Sequence, residues 1–168
     1  MEIKAMPRND PLAIYLHDHL AGAKVAIDLL GAVRDQHARE PLGQFAAELL
    51  VEIEEDRAVL RQLVERVGAG RSSRVKEGIA WLIEKGTRVK LHHRAGRGLG
   101  TLQMLETLAL GILGKLALWQ ALAAVAAADS RLRSMGFDHL AARAQAQHGR
   151  VEERRLEVAR AVLRADPE

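Results

Sequence analysis

Long stretches of the chain carry apolar residues at every third or fourth position, and turn dipeptides are few and far apart. Alanine and leucine dominate these stretches, whereas β-branched and aromatic residues are sparse. This spacing matches one face of a helix, and these residue types favour helices over strands. The sequence therefore predicts an all-α protein, and no segment is predicted as a strand.

Short polar residues, prolines and glycines mark the ends of the predicted helices. Asn9 and Asp10 precede Pro11, and Pro41 marks a second start, because proline is well tolerated in the first helical position. The chain 1–168 is predicted to form a single domain. Its helices are predicted at residues 10–37, 41–67, 73–92, 101–128 and 137–164.

The connections between these helices differ in length. The first two long helices are joined by a few residues, as are the last two, but residues 68–100 separate the two pairs. A short loop makes neighbouring helices antiparallel, whereas a long crossover lets the third helix start at the same end as the second. The sequence predicts a ferritin-like up-down-down-up four-helix bundle with an additional amphipathic helix in the crossover.

Composition excludes several classes of protein. The absence of cysteine excludes disulfides, thiolate metal sites and a cysteine nucleophile. Residues 1–8 carry charges and a proline where a secretory signal would need an apolar stretch, so a cytoplasmic location is expected. Residues 108–128 are long and apolar enough to span a bilayer, but Lys115 stands near their middle. No transmembrane segment is therefore predicted.

Four polar residues are predicted to lie among the apolar positions of the long helices. Glu52 and Asp56 lie on the second helix, Lys115 on the third and His148 on the fourth. If the second and third helices run in the same direction, all four residues lie near one depth. The sequence predicts a buried polar layer in which opposite charges neutralise one another and set the helix register.

The same layer suggests a metal site as an alternative. In ferritin-like carboxylate proteins, two helices each supply a Glu and two each supply Glu-x-x-His to iron or manganese. No Glu-x-x-His occurs in this chain, and Lys115 opposes a bound cation. No cofactor is favoured and no catalytic residue is identified. If Fe or Mn is bound, the candidate ligands are Glu52, Asp56, His148, Glu152 and His19.

Positive charge is concentrated in the crossover. Residues 71–97 contain eight Lys or Arg against two Glu, while the whole chain has a net charge of only +3. With Trp81 on an amphipathic helix, this segment is suited to an anionic membrane surface or a nucleic-acid backbone, although a solvated face or internal ion pairing is favoured. Seven of these eight basic residues are predicted to form the basic surface: Arg71, Arg74, Lys76, Arg88, Lys90, Arg94 and Arg97.

The first helix is apolar on two opposite sides. Ile14, Val25 and Leu29 belong to its second apolar stripe, and an exposed stripe of that length is rarely left bare. We expect a homodimer that covers either this face or the crossover helix around Trp81.

Four segments, 15–23, 52–57, 81–91 and 108–119, together resemble uncharacterised bacterial ferritin-like proteins. The similarity extends from residue 15 to about residue 162. For the wider ferritin-like group, the resemblance implies a di-iron or di-manganese centre for oxidase, reductase or storage chemistry. The sequence favours a soluble binding or scaffolding bundle without a standard dinuclear centre. The alternatives are an atypical di-iron or di-manganese oxidoreductase and a stress module that binds membrane or nucleic acid through residues 71–97.

Overall fold

The structure, a computed structural model, describes residues 10–68 and 97–164. These residues are helical with no strand, which confirms the predicted all-α class. The predicted helix 73–92, with Trp81 and the basic residues 71–94, lies outside the described residues. Four helices are described: α1 Pro11–Gln36, α2 Pro41–Gly68, α3 Arg97–Val125 and α4 Phe137–Val162, with a 3-10 turn at Ser130–Leu132 before α4.

A charged cluster fastens the start of α1 to the turn before α4. The Asp10 carboxylate accepts a hydrogen bond of 3.1 Å from the backbone amide of Leu12, which caps α1. Arg131 donates to the carboxylates of Asp10 and Asp129. The hydrogen bond from Arg131 lowers the pKa of Asp10, so this carboxylate is ionised at neutral pH.

The helix α3 begins at Arg97, whereas the sequence predicted a start at Thr101. Glycines near this point suggested a helix break, but Gly98 lies within the first turn. A Cβ added at Gly98 would lie 2.7 Å from Val162 Cγ2, so the absence of a side chain lets the start of α3 pack against the end of α4. The helix ends at Val125 rather than Ala128.

The apolar core consists of two clusters with a polar layer between them. The first cluster includes Leu29, Leu30, Leu49, Ile53, Leu108, Ile112 and Val151. The second includes Leu16, Leu60, Leu63, Leu118, Trp119 and Ala144. On each of α2, α3 and α4, one polar residue lies between the residues of the first cluster and those of the second. These residues are Asp56, Lys115 and Gln147.

The two apolar sides of α1 have a simpler explanation than a subunit interface. Both α2 and α3 pack against α1, so two of its sides are covered within one chain. Leu29 is only 7% exposed in the core, and Val25 is half-buried against the same cluster, whereas Ile14 is 48% exposed. The prediction that these three residues form an exposed dimer face is therefore wrong for Leu29, and a dimer stays a prediction.

The helix α3 is apolar enough to cross a bilayer by length and composition alone. Within Gly98–Val125, an 18-residue window has a mean hydropathy of 1.7, which is weak evidence for a membrane span because the core helices of soluble proteins also reach such values. Leu108, Ile112 and Leu118 are buried in the core, whereas Leu110 is 70% exposed. Packing against α1 and α4 accounts for part of the apolar composition of α3.

Candidate functional site

The polar layer is a hydrogen-bonded network of side chains from three helices. Lys115 on α3 donates to Asp56 Oδ2 on α2 and to Gln147 Oε1 on α4. The Gln147 amide donates to Asp56 Oδ2 at 3.2 Å and to Glu52 Oε2 at 3.1 Å. Asp56 is 3% exposed and Gln147 is fully buried. Lys115, Asp56 and Gln147 each bond to at least two partners on other helices or within the layer. The network therefore fixes how α2, α3 and α4 pack.

Two arginines on α4 complete the network at its edge. Arg143 lies 3.5 Å from Asp56 Oδ1 and also pairs with Glu55. Arg150 donates to Glu52 Oε2 at 2.6 Å. The two inward carboxylates of the layer therefore face three cationic side chains, Lys115 among them.

Burial and ion pairing shift the pKa values of the layer. Burial lowers the pKa of Lys115, because the loss of water outweighs the attraction of Asp56. Burial alone would raise the pKa of Glu52, but hydrogen bonds from Arg150 and Gln147 hold that pKa below its ordinary value. Glu52 is therefore a carboxylate at neutral pH.

A cavity of about 90 Å³ adjoins the layer between α1, α2 and α3. At this level α1 contributes the small residues Gly22, Ala23 and Ala26, and Gly111 on α3 lines the same space. Gly22 and Gly111 are exposed, and a Cβ at either would meet no atom within 4 Å, so they mark the mouth of the cavity. Its apolar walls are Ile53, Leu60, Ile112 and Leu118.

Three buried polar atoms have no hydrogen-bond partner in the part of the chain that the structure describes. They are Asp56 Oδ1, Arg57 Nε and Trp119 Nε1, and all three residues line this cavity. A buried polar group left unsatisfied costs about 1–3 kcal/mol, so native proteins keep such groups only where water, an ion or a ligand supplies the partner. The three residues that carry these atoms therefore lie around one cavity.

His19 is a further polar residue in the cavity wall. Its ring packs edge-on against Tyr15, with the ring centroids 4.6 Å apart. Burial lowers the pKa of His19, although Asp18 acts in the opposite direction. The imidazole is therefore neutral at pH 7 and presents one donor and one acceptor.

The structure brings together Glu52, Asp56 and Lys115 but places a different residue of α4 among them. Gln147 occupies the position predicted for His148, which is only half-buried. Neighbouring helical residues point about 100° apart, so an error of one position moved the predicted side chain out of the layer. The spacing Ala144, Gln147, Val151 is the signal that identifies the inward residue.

The five candidate metal ligands are not gathered at one site: only Glu52 and Asp56 share the polar layer. Glu152 pairs with Arg155 on α4, and His19 lies in the cavity wall on α1. Across residues 10–68 and 97–164, no three His, Asp or Glu side chains are grouped as a metal site. Glu52 and Asp56 are engaged by cations that would repel a metal ion. As arranged, these residues do not fit the dinuclear centre that the ferritin-like resemblance implies.

A second buried polar cluster, which the sequence did not suggest, joins the α1–α2 turn to α3. His37 Nδ1 lies 2.7 Å from Glu40 Oε2, and His37 Nε2 lies 2.9 Å from Thr101 Oγ1. This is the acid, imidazole and hydroxyl order of a hydrolytic triad. Thr101 is only 1% exposed, however, so its hydroxyl is closed to substrate. The cluster therefore serves to attach the turn to α3.

Comparisons with known proteins do not identify a family. No protein-family model, curated protein or solved structure matches the chain. The function must therefore be inferred from the geometry of the polar layer and its cavity.

Proposed function

We propose that this protein is a ferritin-like four-helix bundle that binds a small ligand in the cavity beside its polar layer and has no standard dinuclear metal centre. One observation carries the proposal: Asp56 Oδ1, Arg57 Nε and Trp119 Nε1, which have no hydrogen-bond partner among the described residues, all belong to residues that line one cavity. A small polar ligand in this cavity lies beside these residues, where its polar groups are in position to offer them hydrogen bonds.

The ferritin-like part of the proposal is supported by the helix ends that meet. His37, just after α1, bonds to Thr101 near the start of α3. Arg66, near the end of α2, donates to the carbonyl oxygen of Arg131, beyond the end of α3. These contacts favour α2 and α3 running in the same direction, which is the arrangement of a bundle with one long crossover.

A binding role is supported because the buried charges of the layer add little to the net stability of the fold. Taking charges such as Lys115 and Asp56 out of water costs about as much free energy as their attraction returns, so a buried ion pair adds little net stability. Apolar residues would fill the same space without this cost. Stability therefore does not explain why the layer is polar. The layer has a role if it forms a polar wall for a ligand and sets the helix register.

The proposal is tested with the indole N–H of Trp119 as the reporter. In a Trp81→Phe background, Trp119 is the only tryptophan, so its indole resonance in a ¹H–¹⁵N spectrum is unambiguous. Four small probes of similar size and different charge are titrated into the full chain: propionate, propionamide, propanol and propylamine. We expect at least one probe to shift the indole resonance in a saturable way.

A matched pair of glycine variants shows whether the shift arises in the cavity. Gly111→Leu places a side chain at the mouth and should abolish the shift. Gly149→Leu, at an exposed helical glycine whose added Cβ also meets no atom within 4 Å, should leave it unchanged. If none of the four probes gives a saturable shift, the proposed function is wrong.

Metal analysis separates this proposal from the oxidoreductase alternative. The full chain, purified without an affinity tag, is loaded anaerobically with iron(II) or manganese(II) and examined by elemental mass spectrometry. A stoichiometry of about two metals per chain that is lost in Glu52→Gln would establish a dinuclear centre instead. We expect no stoichiometric metal, because cations already surround the layer's carboxylates.

The homodimer, the cytoplasmic location and the binding role of the basic segment 71–97 stay predictions. The last is tested by adsorption of the chain to vesicles that contain anionic lipid. Adsorption that falls with added salt and disappears when Arg88, Lys90 and Arg94 are changed to Glu would establish it. Adsorption that is the same in the variant would exclude it.

A further inference from the structure

The size of the cavity limits its ligand to a few atoms. In an unrelated protein, an engineered cavity of about 150 Å³ holds benzene, which corresponds to about 25 Å³ for each non-hydrogen atom. On this scale the cavity of about 90 Å³ holds about four such atoms, with further room toward Gly22 and Gly111 at the mouth. Nucleotides, haems and long acyl chains are too large to be enclosed.

The partnerless atoms define the polar end of the ligand. Arg57 Nε and Trp119 Nε1 are both donors. Among residues 10–68 and 97–164, the one buried acceptor without a hydrogen bond is Asp56 Oδ1, and the Arg143 guanidinium lies 3.5 Å from it. The cavity therefore lacks acceptors more than it lacks donors. A carboxylate supplies two acceptor oxygens and no competing donor, and it forms strong hydrogen bonds with a guanidinium.

The charge of the wall favours a single negative charge on the ligand. Arg57 and Lys115 are the cationic residues that line the cavity, and Asp56 is the anionic one. His19 contributes no charge at neutral pH, since burial lowers its pKa. One positive charge of the lining is thus not matched within the lining. A monoanion compensates that charge, whereas a neutral ligand leaves it uncompensated within the lining.

The rest of the cavity is suited to hydrocarbon. Ile53, Leu60, Ile112 and Leu118 provide apolar walls beside the polar groups. A methyl or ethyl group buried against them is stabilised by the hydrophobic effect, a gain that phosphate or nitrate cannot make. The geometry points to a short aliphatic carboxylate, with about two or three carbon atoms, as the ligand of this cavity. This inference rests on the proposed function, namely that the cavity binds a ligand.

The test compares sodium propionate with propionamide, which has nearly the same shape but no charge. Both are titrated into the full chain with the Trp81→Phe change at constant ionic strength, and the Trp119 indole resonance is followed. We expect propionate to bind at least about tenfold more tightly, since hydrogen bonds to an ionised acceptor are roughly twice as strong as neutral ones. Arg57→Gln should remove this preference while the Gly149→Leu control keeps it.

Further probes locate the limits of the ligand class. Nitrate carries the charge without the hydrocarbon, and octanoate carries the carboxylate on a chain too long for the cavity; both should bind at least about tenfold more weakly than propionate. Nitrate or octanoate that binds as tightly as propionate would overturn the inference. Propionamide that binds as tightly as propionate would also overturn it, while leaving the proposed function intact. If none of the four probes propionate, propionamide, propanol and propylamine binds, the proposed function is wrong, and the inference that rests on it is wrong as well.

Discussion

Two buried polar clusters in this bundle differ in how completely their hydrogen bonds are made. In the cluster that joins the α1–α2 turn to α3, both ring nitrogens of His37 have partners, at 2.7 Å and 2.9 Å. In the layer at mid-bundle, Lys115 and Gln147 are well bonded, but Asp56 Oδ1 and the neighbouring Arg57 Nε and Trp119 Nε1 are not. In the first cluster the hydrogen bonds of the imidazole are complete, whereas in the second the residues with unpartnered atoms line a cavity.

Glycines lie beside both polar clusters, but they allow close packing at one and leave space at the other. A Cβ at Gly43 would lie 2.1 Å from the carbonyl oxygen of His37, so glycine there lets the start of α2 pack directly against the turn. At Gly22 and Gly111 a Cβ would meet nothing within 4 Å, so glycine leaves space between the helices. The difference teaches that a buried polar cluster indicates a binding site only when the backbone around it leaves room.

The largest expected effect comes from breaking the ion pair of the layer. Lys115→Met removes the cation that bonds to Asp56 and Gln147, and leaves a buried carboxylate with Arg143 as its remaining ion-pair partner. We expect the free energy of unfolding to fall by about 3–5 kcal/mol, as for other buried pairs that lose one member. Urea unfolding followed by circular dichroism measures this loss.

A double variant separates the ion pair from simple packing. If the cost arises from an uncompensated carboxylate, adding Asp56→Leu to Lys115→Met should restore most of the lost free energy of unfolding. A double variant that is less stable than the single variant would mean that the residues act through shape rather than charge.

The sequence predicts much of the layer because charges in apolar positions are informative. Asp56 and Lys115 both occur among core residues on their own helices, and mutual neutralisation explains both placements. The residue from α4 was harder to predict, since Gln147 and His148 differ by one position on a helix whose rotation depends on its neighbours.

Other features of the two clusters depend on contacts that no single helix reveals. His37 and Thr101 are 64 residues apart, and nothing in either local pattern indicates their hydrogen bond. The cavity arises where small residues of α1, including Gly22 and Ala26, meet α2 and α3. In the sequence these residues resemble ordinary small positions on a packed helix. The four helices that the structure describes were therefore predictable, whereas the space enclosed between them was not.

A smaller loss of stability is expected when a hydrogen bond is removed from the cluster around His37. Thr101→Val keeps the shape of the side chain but removes the hydroxyl that bonds to His37 Nε2. We expect the free energy of unfolding to fall by about 1–2 kcal/mol because one buried hydrogen bond is lost. The Trp119 indole should respond to propionate as it does in the wild type. A variant that loses the propionate response would show that the two clusters are coupled, against the distinction drawn between them.

The smallest effect concerns the edge of the layer and depends on pH. Hydrogen bonds from Arg150 and Gln147 hold the pKa of Glu52 below its ordinary value of 4.5, although burial acts in the opposite direction. A carboxylate whose pKa is lower in the folded state adds stability above its unfolded pKa, and that stability is lost as the pH falls through the folded pKa. At pH 7, Glu52→Gln should therefore lower the free energy of unfolding by about 1 kcal/mol, since the side chain is partly exposed.

This difference between Glu52→Gln and the wild type should shrink as the pH falls from 4.5 and vanish once Glu52 is protonated in the folded state. Urea unfolding at a series of pH values from neutral to acid measures it, with Glu65→Gln at an exposed position of α2 as the control. If the difference persists in acid, Glu52 stabilises the fold by packing rather than by its charge. The edge of the layer would then resemble the cluster around His37, where hydrogen bonding serves structure alone.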